Sequence, residues 1–244
     1  MTNNLINRNT TNIIVNEIVK VCIDKIRSED PYKKGSSGSI AGITNLMWEK
    51  GTTFRIKFLG GDPNLIERIK EKQKLWLEHA NTLKFEYVND DSANVSITFD
   101  QNDGHWSWLG KDILNNPDKE PTMNFGWPHD RDISDTEIER VAVHEMGHTL
   151  GFIHEQSSPK AEIGWNEEKV YAFYKENQGW DKDKTFFNVL QRYEEPITQY
   201  TNFDPISIME YPIPGFLRQN GEDIIGGNKL SDTDKGFAKK HYGN

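Results

Sequence analysis

Three imidazoles and a carboxylate fall in one short segment, His144-Glu145-Met146-Gly147-His148-Thr149-Leu150-Gly151-Phe152-Ile153-His154. On an α-helix, positions i and i+4 share a face one turn apart. His144 and His148 therefore reach a single Zn²⁺ from one helix. A continuing helix would point His154 away from that ion. Gly151 removes the difficulty, because glycine permits the left-handed conformation that ends a helix and turns the chain back. Three neutral imidazoles leave a fourth position open for water, the arrangement of a catalytic rather than a structural zinc site. The ion lowers the pKa of water towards ~7. Glu145, beside the first ligand, is placed to take that proton as general base and pass it to a leaving amine, while the metal stabilises the oxyanion at a scissile carbonyl. Five fixed residues in register make coincidence a weak explanation.

These residues match H-E-x-x-H-x-x-G-x-x-H, and the segment resembles the metzincin metalloproteases. That family has a methionine turn beneath the zinc, and Ser207-Ile208-Met209-Glu210-Tyr211 resembles it, with Met209 as the apolar floor. Gly151-Phe152-Ile153-His154-Glu155, together with S-x-M-x-Y at the turn, makes the chain most similar to the astacins, over Trp48 to Tyr242. The resemblance implies a zinc-dependent endopeptidase acting on protein or peptide substrates. It implies Tyr211 as a fifth zinc ligand that swings away to hydrogen-bond the reaction intermediate, and Glu155 as the partner of a trimmed N-terminus. It also implies an α+β metzincin fold. An upper lobe carries a twisted mixed sheet with two long helices; an irregular lower lobe ends in a C-terminal helix; the cleft lies between them. Met123, Asn124, Phe125 and Gly126 correspond to the edge strand that pairs with an extended substrate by β-augmentation. Two features depart from the family: Glu210 stands where a histidine is usual, and a single cysteine, Cys22, cannot form the two disulfides typical of astacins.

The elements that must position these residues are readable in outline. Apolar positions at Ile14, Ile18, Cys22 and Ile26 form one stripe of a helix over 13–27. A linker-like Lys34-Gly35-Ser36-Ser37-Gly38-Ser39 follows. Residues 1–45 thus read as an extension, a propeptide or arm, before a catalytic domain at 46–244. Alternation predicts strands over 53–59, 83–88 and 95–99, and an edge strand over 122–127 bounded by Pro121 and Pro128. A helix is predicted from Asn64 to Ala80, with Leu65, Ile69, Trp76 and Ala80 on its buried side. Ser134-Asp135-Thr136-Glu137 has the form of a capping box opening the helix that carries His144 and His148. Further helices are expected near 167–176 and over 231–242, the latter capped by Ser231-Asp232-Thr233-Asp234.

The net charge of −9, with no Lys/Arg block, argues against nucleic acid as a partner. Aromatic residues make up 11% of the chain, enough for a substantial core despite a modest apolar fraction. Ile13-Ile14-Val15 is too short for a membrane span or a signal-peptide core. That leaves localisation open between export by another route, action inside a cell and a leader already removed; a monomer is expected. Cys22 is a lone thiol upstream of the site and can be imagined capping the metal, but its place on the apolar stripe favours a small hydrophobe. His105 and His129 read as surface or hydrogen-bonded histidines, Asp90-Asp91 lacks the spacing of a calcium loop, and Phe58 to Asp62 reads as turn chemistry. The competing class is a zinc-bearing module that binds without hydrolysing, and Glu145 argues against it, since a pure binder has no need of the base.

Overall fold

The structure, a computed structural model, describes residues 23–25, 46–116, 120–128, 132–193 and 201–244. Strand β2 (Thr53–Phe58) turns Phe54 and Ile56 inward in the expected alternation. It lies between β3 (Lys84–Tyr87) and β4 (Val95–Thr98). With β1 (Ile23–Lys25), β5 (Trp106–Trp108) and β6 (Met123–Asn124) these form one sheet in the order β1-β5-β6-β4-β2-β3. Every pairing is parallel except β5 with β6, which is antiparallel, so the sheet is mixed as expected.

Helix α1 (Pro63–Gln73) starts on Pro63, and Asp62 caps it by accepting the Leu65 N–H. It tightens into a 3₁₀ turn over Lys74–Glu78 instead of staying α-helical to Ala80, yet Ile69, Trp76 and Ala80 are buried as the periodicity requires. Helix α2 (Asp135–Thr149) is capped by Ser134, which accepts the Glu137 N–H. The Glu137 carboxylate does not close the box; it accepts from Arg140 instead. One core joins Phe54, Ile56, Val95 and Ile97 of the sheet to Ile69, Trp76, Ile138 and Met146 of the helices.

Beyond α2 the chain is irregular. It forms α3 (Glu167–Gln178), the one-turn α4 (Lys182–Thr185) with a π-helical turn over Phe186–Leu190, and finally α5 (Asp232–Tyr242). Ser231 and Asp234 make a full capping box at α5. Two small clusters hold the irregular part: one around Tyr211 and Ile213, the other around Tyr174 and Trp180, with Trp165 packed against both. The ends of the domain meet at α2. Carbonyls at its C-terminal end accept from Trp48 Nε1 (to Thr149, 2.8 Å) and the Tyr242 hydroxyl (to Leu150, 2.7 Å), groups that helix geometry otherwise leaves unpaired.

Two sequence expectations are overturned. Residues 23–25 are a strand, not part of a helix over 13–27, because the open backbone of β5 offers ladder hydrogen bonds that a short apolar stripe cannot outweigh. Cys22 and the rest of that stripe, apart from residues 23–25, lie outside the described residues. The second concerns 122–127. Only Met123–Asn124 is strand, and it is interior: β5 flanks it on one side and β4 on the other. Proline at both ends of a run is a poor guide to edge position here, since the neighbouring Thr122 and Phe125 N–H groups also bond, to the Ser96 and Thr98 carbonyls.

Candidate active site

Helix α2 presents His144 and His148, and Gly151, at φ +96°, reverses the chain so that His154 returns to them. A Cβ at Gly151 would also press on Leu46 and Met47. The three Nε2 atoms lie 3.1–3.2 Å from one another, and all three histidines are buried. His144 Nδ1 is 2.7 Å from the Ile208 carbonyl and His148 Nδ1 is 2.8 Å from the Phe152 carbonyl. A carbonyl only accepts, so both Nδ1 atoms carry the proton and both Nε2 atoms turn bare lone pairs towards the same point. Burial, then the adjacent His148 and His154, hold the His144 imidazole well below its usual pKa, so protonation does not relieve that crowding. A cation does. Three nitrogens at zinc distance in a tetrahedral shell stand ~3.3 Å apart, close to the observed spacing. The residues therefore fit a metal ion, and the Nδ1 hydrogen bonds of His144 and His148 are of the kind that fixes ligand orientation.

Glu145, one residue after His144, is buried on the same helix. Met209 is buried, with its sulfur against Gly147. The turn that carries it is braced by Asp234 of α5. This carboxylate accepts from the Ser207 hydroxyl (2.6 Å) and the Ile208 N–H (2.8 Å), while the Ile208 carbonyl holds His144. Neither Gly147 nor Asp234 stands out in the sequence as a site residue. A glycine inside a helix is the available signal for the first; the second is visible only as a cap. The Glu155 N–H donates to the Met209 carbonyl, tying the segment after His154 to the turn. Burial, with Asp234 and Asp204 nearby, raises the Glu155 carboxyl to about 8, against the opposing hydrogen bond from the Asp204 N–H. Glu210 is buried and held well above the usual carboxylate range, by burial first and by Glu155 second. Tyr211 is buried with its ring at 85° to His154, centroids 5.3 Å apart.

Other singled-out residues fall elsewhere. Met123, Asn124, Phe125 and Gly126 are buried in the sheet interior and offer no open edge; Asn124 instead donates to the Asp100 and Gly104 carbonyls. The strand next to helix α2 is β5, flanked by β1 and β6, whose Ser107 hydroxyl lies 3.0 Å from that of Thr149. His105 is buried, its Nδ1 accepting the Gly126 N–H; His129 lies outside the described residues. Asp90 and Asp91 pair with Ser92, Arg55 and Lys57.

The model of the Astacin peptidase family matches residues 67–243. The chain belongs to the astacin family. It is accordingly a metalloendopeptidase of α+β fold. A solved structure of myroilysin is 35% identical to this astacin over 83% of the chain and 98% of its own, with a TM-score of 0.79. A crystal structure of myroilysin is 33% identical over 92% and 91%, at 0.65. High choriolytic enzyme 1, a hatching-enzyme zinc protease from the medaka Oryzias latipes, is 18% identical over 90% and 98% with a TM-score of 0.51, a likeness of fold alone. No curated protein matches in sequence. Among the described residues, no helix is long and apolar enough to cross a membrane.

Proposed function

We propose that this astacin is a zinc endopeptidase in which His144, His148 and His154 hold the ion, Glu145 is the general base and Tyr211 hydrogen-bonds the reacting carbonyl oxygen. The observation that carries the reading is the convergence of imidazole nitrogens at 3.1–3.2 Å, two of them committed as lone pairs by their carbonyl partners. Bound zinc supplies Lewis acidity, which lowers the pKa of water and stabilises negative charge on the substrate oxygen. Glu145 takes the proton from the attacking water and delivers it to the leaving amine. Its burial strengthens that exchange, because few solvent dipoles screen it.

Substrate backbone is expected on the outer edge of β5 rather than on β6. Two observations support this: β5 touches the metal helix through Ser107 and Thr149, and Gly110 packs against Leu46 and Gly151 so closely that a Cβ would collide. Residues 23–25 take that edge as a parallel strand, which supports a latency role for the extension at 1–45. A groove of about 880 Å³ opens between Trp127, Arg140, Pro212 and Ile225. Arg140 is one turn before His144 and Pro212 follows Tyr211, so substrate side chains beyond the scissile bond have room there.

The test is cleavage of casein by zinc-loaded protein, its chelated form and Glu145→Gln. The expected result is hydrolysis only with metal, a loss of about 10²-fold or more in the variant, and unchanged zinc content. Absence of cleavage by the loaded chain freed of residues 1–45, or equal rates in Glu145→Gln, would refute the reading.

A further inference from the structure

The two most exposed large apolar side chains among the described residues are Ile225, at 80%, and Ile206, at 63%. Single exposed hydrophobes are ordinary on a protein surface, but these two line one groove, the cavity of about 880 Å³ beside α2. Trp127, Ile133, Pro212 and Leu230 extend its apolar lining. The outward direction of the isoleucines is built in. Ile213 and Ile224 form an antiparallel bridge, each N–H donating to the other's carbonyl at 2.8 Å, and Ile224 is buried. Alternation then turns Ile225 outward. The residues that follow are clamped to the turn carrying Met209 and Tyr211. A Cβ at Gly226 would meet the Glu210 carbonyl oxygen at 2.7 Å, and one at Gly227 the Ser207 and Ile206 carbonyl oxygens at 2.3 and 2.5 Å. Ile206 is fixed from its own side, since its N–H donates to Asp204 Oδ1 at 3.1 Å. Two isoleucines held in water by so rigid a frame forgo burial that a looser loop would recover, unless something else covers them.

Place and charge indicate what covers them. Arg140 in the groove wall is one turn before His144 on α2, and Pro212 follows Tyr211, so the groove opens next to the point where the three Nε2 atoms converge. Its cations do not claim the space. Arg140 is held by Glu137 through two bonds of 2.9 Å, and Lys229 is exposed, its charge met by water. We infer that Ile206 and Ile225 are specificity-determining residues, which make the groove select substrates with a large apolar side chain, leucine-sized or above, next to the scissile bond. This rests on the peptidase reading for the scissile bond, though not for the apolar groove. An acidic side chain would give up its hydration between two apolar walls and gain only a cation that is already paired.

The experiment sets two readouts side by side on the full zinc-loaded chain and on its limited-proteolysis product. Calorimetry measures binding of small peptide hydroxamates, which hold a metal without being cut, with an isobutyl, methyl or carboxyethyl side chain. Mass spectrometry maps the sites cut in denatured casein. The isobutyl compound is expected to bind about 10-fold or more tighter than the methyl one, and Leu, Ile, Met and Phe to be enriched at one position flanking the cut. In Ile206→Ser/Ile225→Ser, both exposed positions, the isobutyl preference is expected to fall to about threefold or less at parental zinc content. Equal binding of the isobutyl and methyl compounds, or a preference kept in the double variant, would overturn the inference. A preference for carboxyethyl would overturn it too, and give the groove to Arg140 and Lys229. Isobutyl preference without any cut in casein would sink the peptidase reading and spare this one, whereas cuts with no side-chain preference would do the reverse.

Discussion

Gly147→Ala sets two effects of opposite sign against each other. In a helix interior, alanine is favoured over glycine by about 0.5–1 kcal/mol, so by propensity alone the variant is the more stable protein. The structure opposes this. A Cβ at residue 147 would sit 2.4 Å from the Met209 sulfur and 3.2 Å from both the Met209 methyl and Trp76. Ordinary carbon contacts need ~3.5–4 Å, so the sulfur must retreat by more than about 1 Å. Met209 is flexible but 3% exposed, and the backbone of its turn is pinned by the Asp234 bonds and by Glu155. Overpacking of this kind costs about 1–3 kcal/mol, against the gain of about 0.5–1 kcal/mol, so the net loss centres on ~1 kcal/mol and reaches at most about 2.5 kcal/mol. The strain also reaches the ligands, because the Ile208 carbonyl that holds His144 belongs to the same turn. Disturbed outer partners of this type weaken metal binding by about 10-fold or more. Urea unfolding of the metal-free protein measures the first quantity and competition with a chromophoric chelator the second. Relief in Gly147→Ala/Met209→Ala, beyond the sum of the single changes, would identify the contact. A Gly147→Ala protein as stable as the parent, with parental zinc affinity, would refute the reasoning.

Glu155 gives a pH test. Its folded pKa, about 8, lies above the ordinary 4.5, so the folded state holds the proton more tightly than the unfolded chain. Stability is then unaffected below pH ~4.5 and falls as pH rises towards 8; in the metal-free protein Glu155→Gln should equal the parent at about pH 4 and exceed it by up to about 4 kcal/mol at about pH 9. Equal pH profiles would show that Glu155 finds a compensating partner. Asp234→Ala strips the acceptor from the Ser207 hydroxyl and from the Ile208 and Ser231 N–H groups. A loss of about 2–4 kcal/mol by thermal or urea unfolding is expected, with weaker zinc binding, and an unaltered zinc titration would separate the turn from the ligands. Removal of residues 1–45 should raise kcat/KM on a peptide substrate by freeing the β5 edge, measured on the chain before and after limited proteolysis; an unchanged value would assign β1 a purely structural role.

How much of this is legible in the sequence depends on the range of the signal. The metal site can be read because its determinants are local: i and i+4 on one helix, one glycine with φ +96°, and a turn recognisable as a short string. The strands over 53–59, 83–88 and 95–99 are legible for the same reason, since alternation records which face is buried. What fails is everything decided by a distant partner. Met123–Asn124 looks like an edge because nothing in its own residues reports that β5 and β4 claim both its sides. Residues 23–25 look helical because apolar positions at spacing four cannot reveal an unpaired strand edge elsewhere.

The two strand errors are physically one error. With substrate pairing assigned to 122–127, the extension has no strand edge to occupy and reads as an appendage. Once β6 is interior, β5 is the strand beside helix α2, and residues 23–25 are the segment paired along its outer side. An edge strand left open is a liability for any chain, and for a peptidase it is also where the substrate must lie. One strand meets both needs if it covers β5 until it is removed. Its parallel direction matters here, because parallel pairing is slightly the weaker per residue. Three residues paired in that way make a cover that can be displaced, whereas a longer antiparallel strand would compete with the substrate on its own terms.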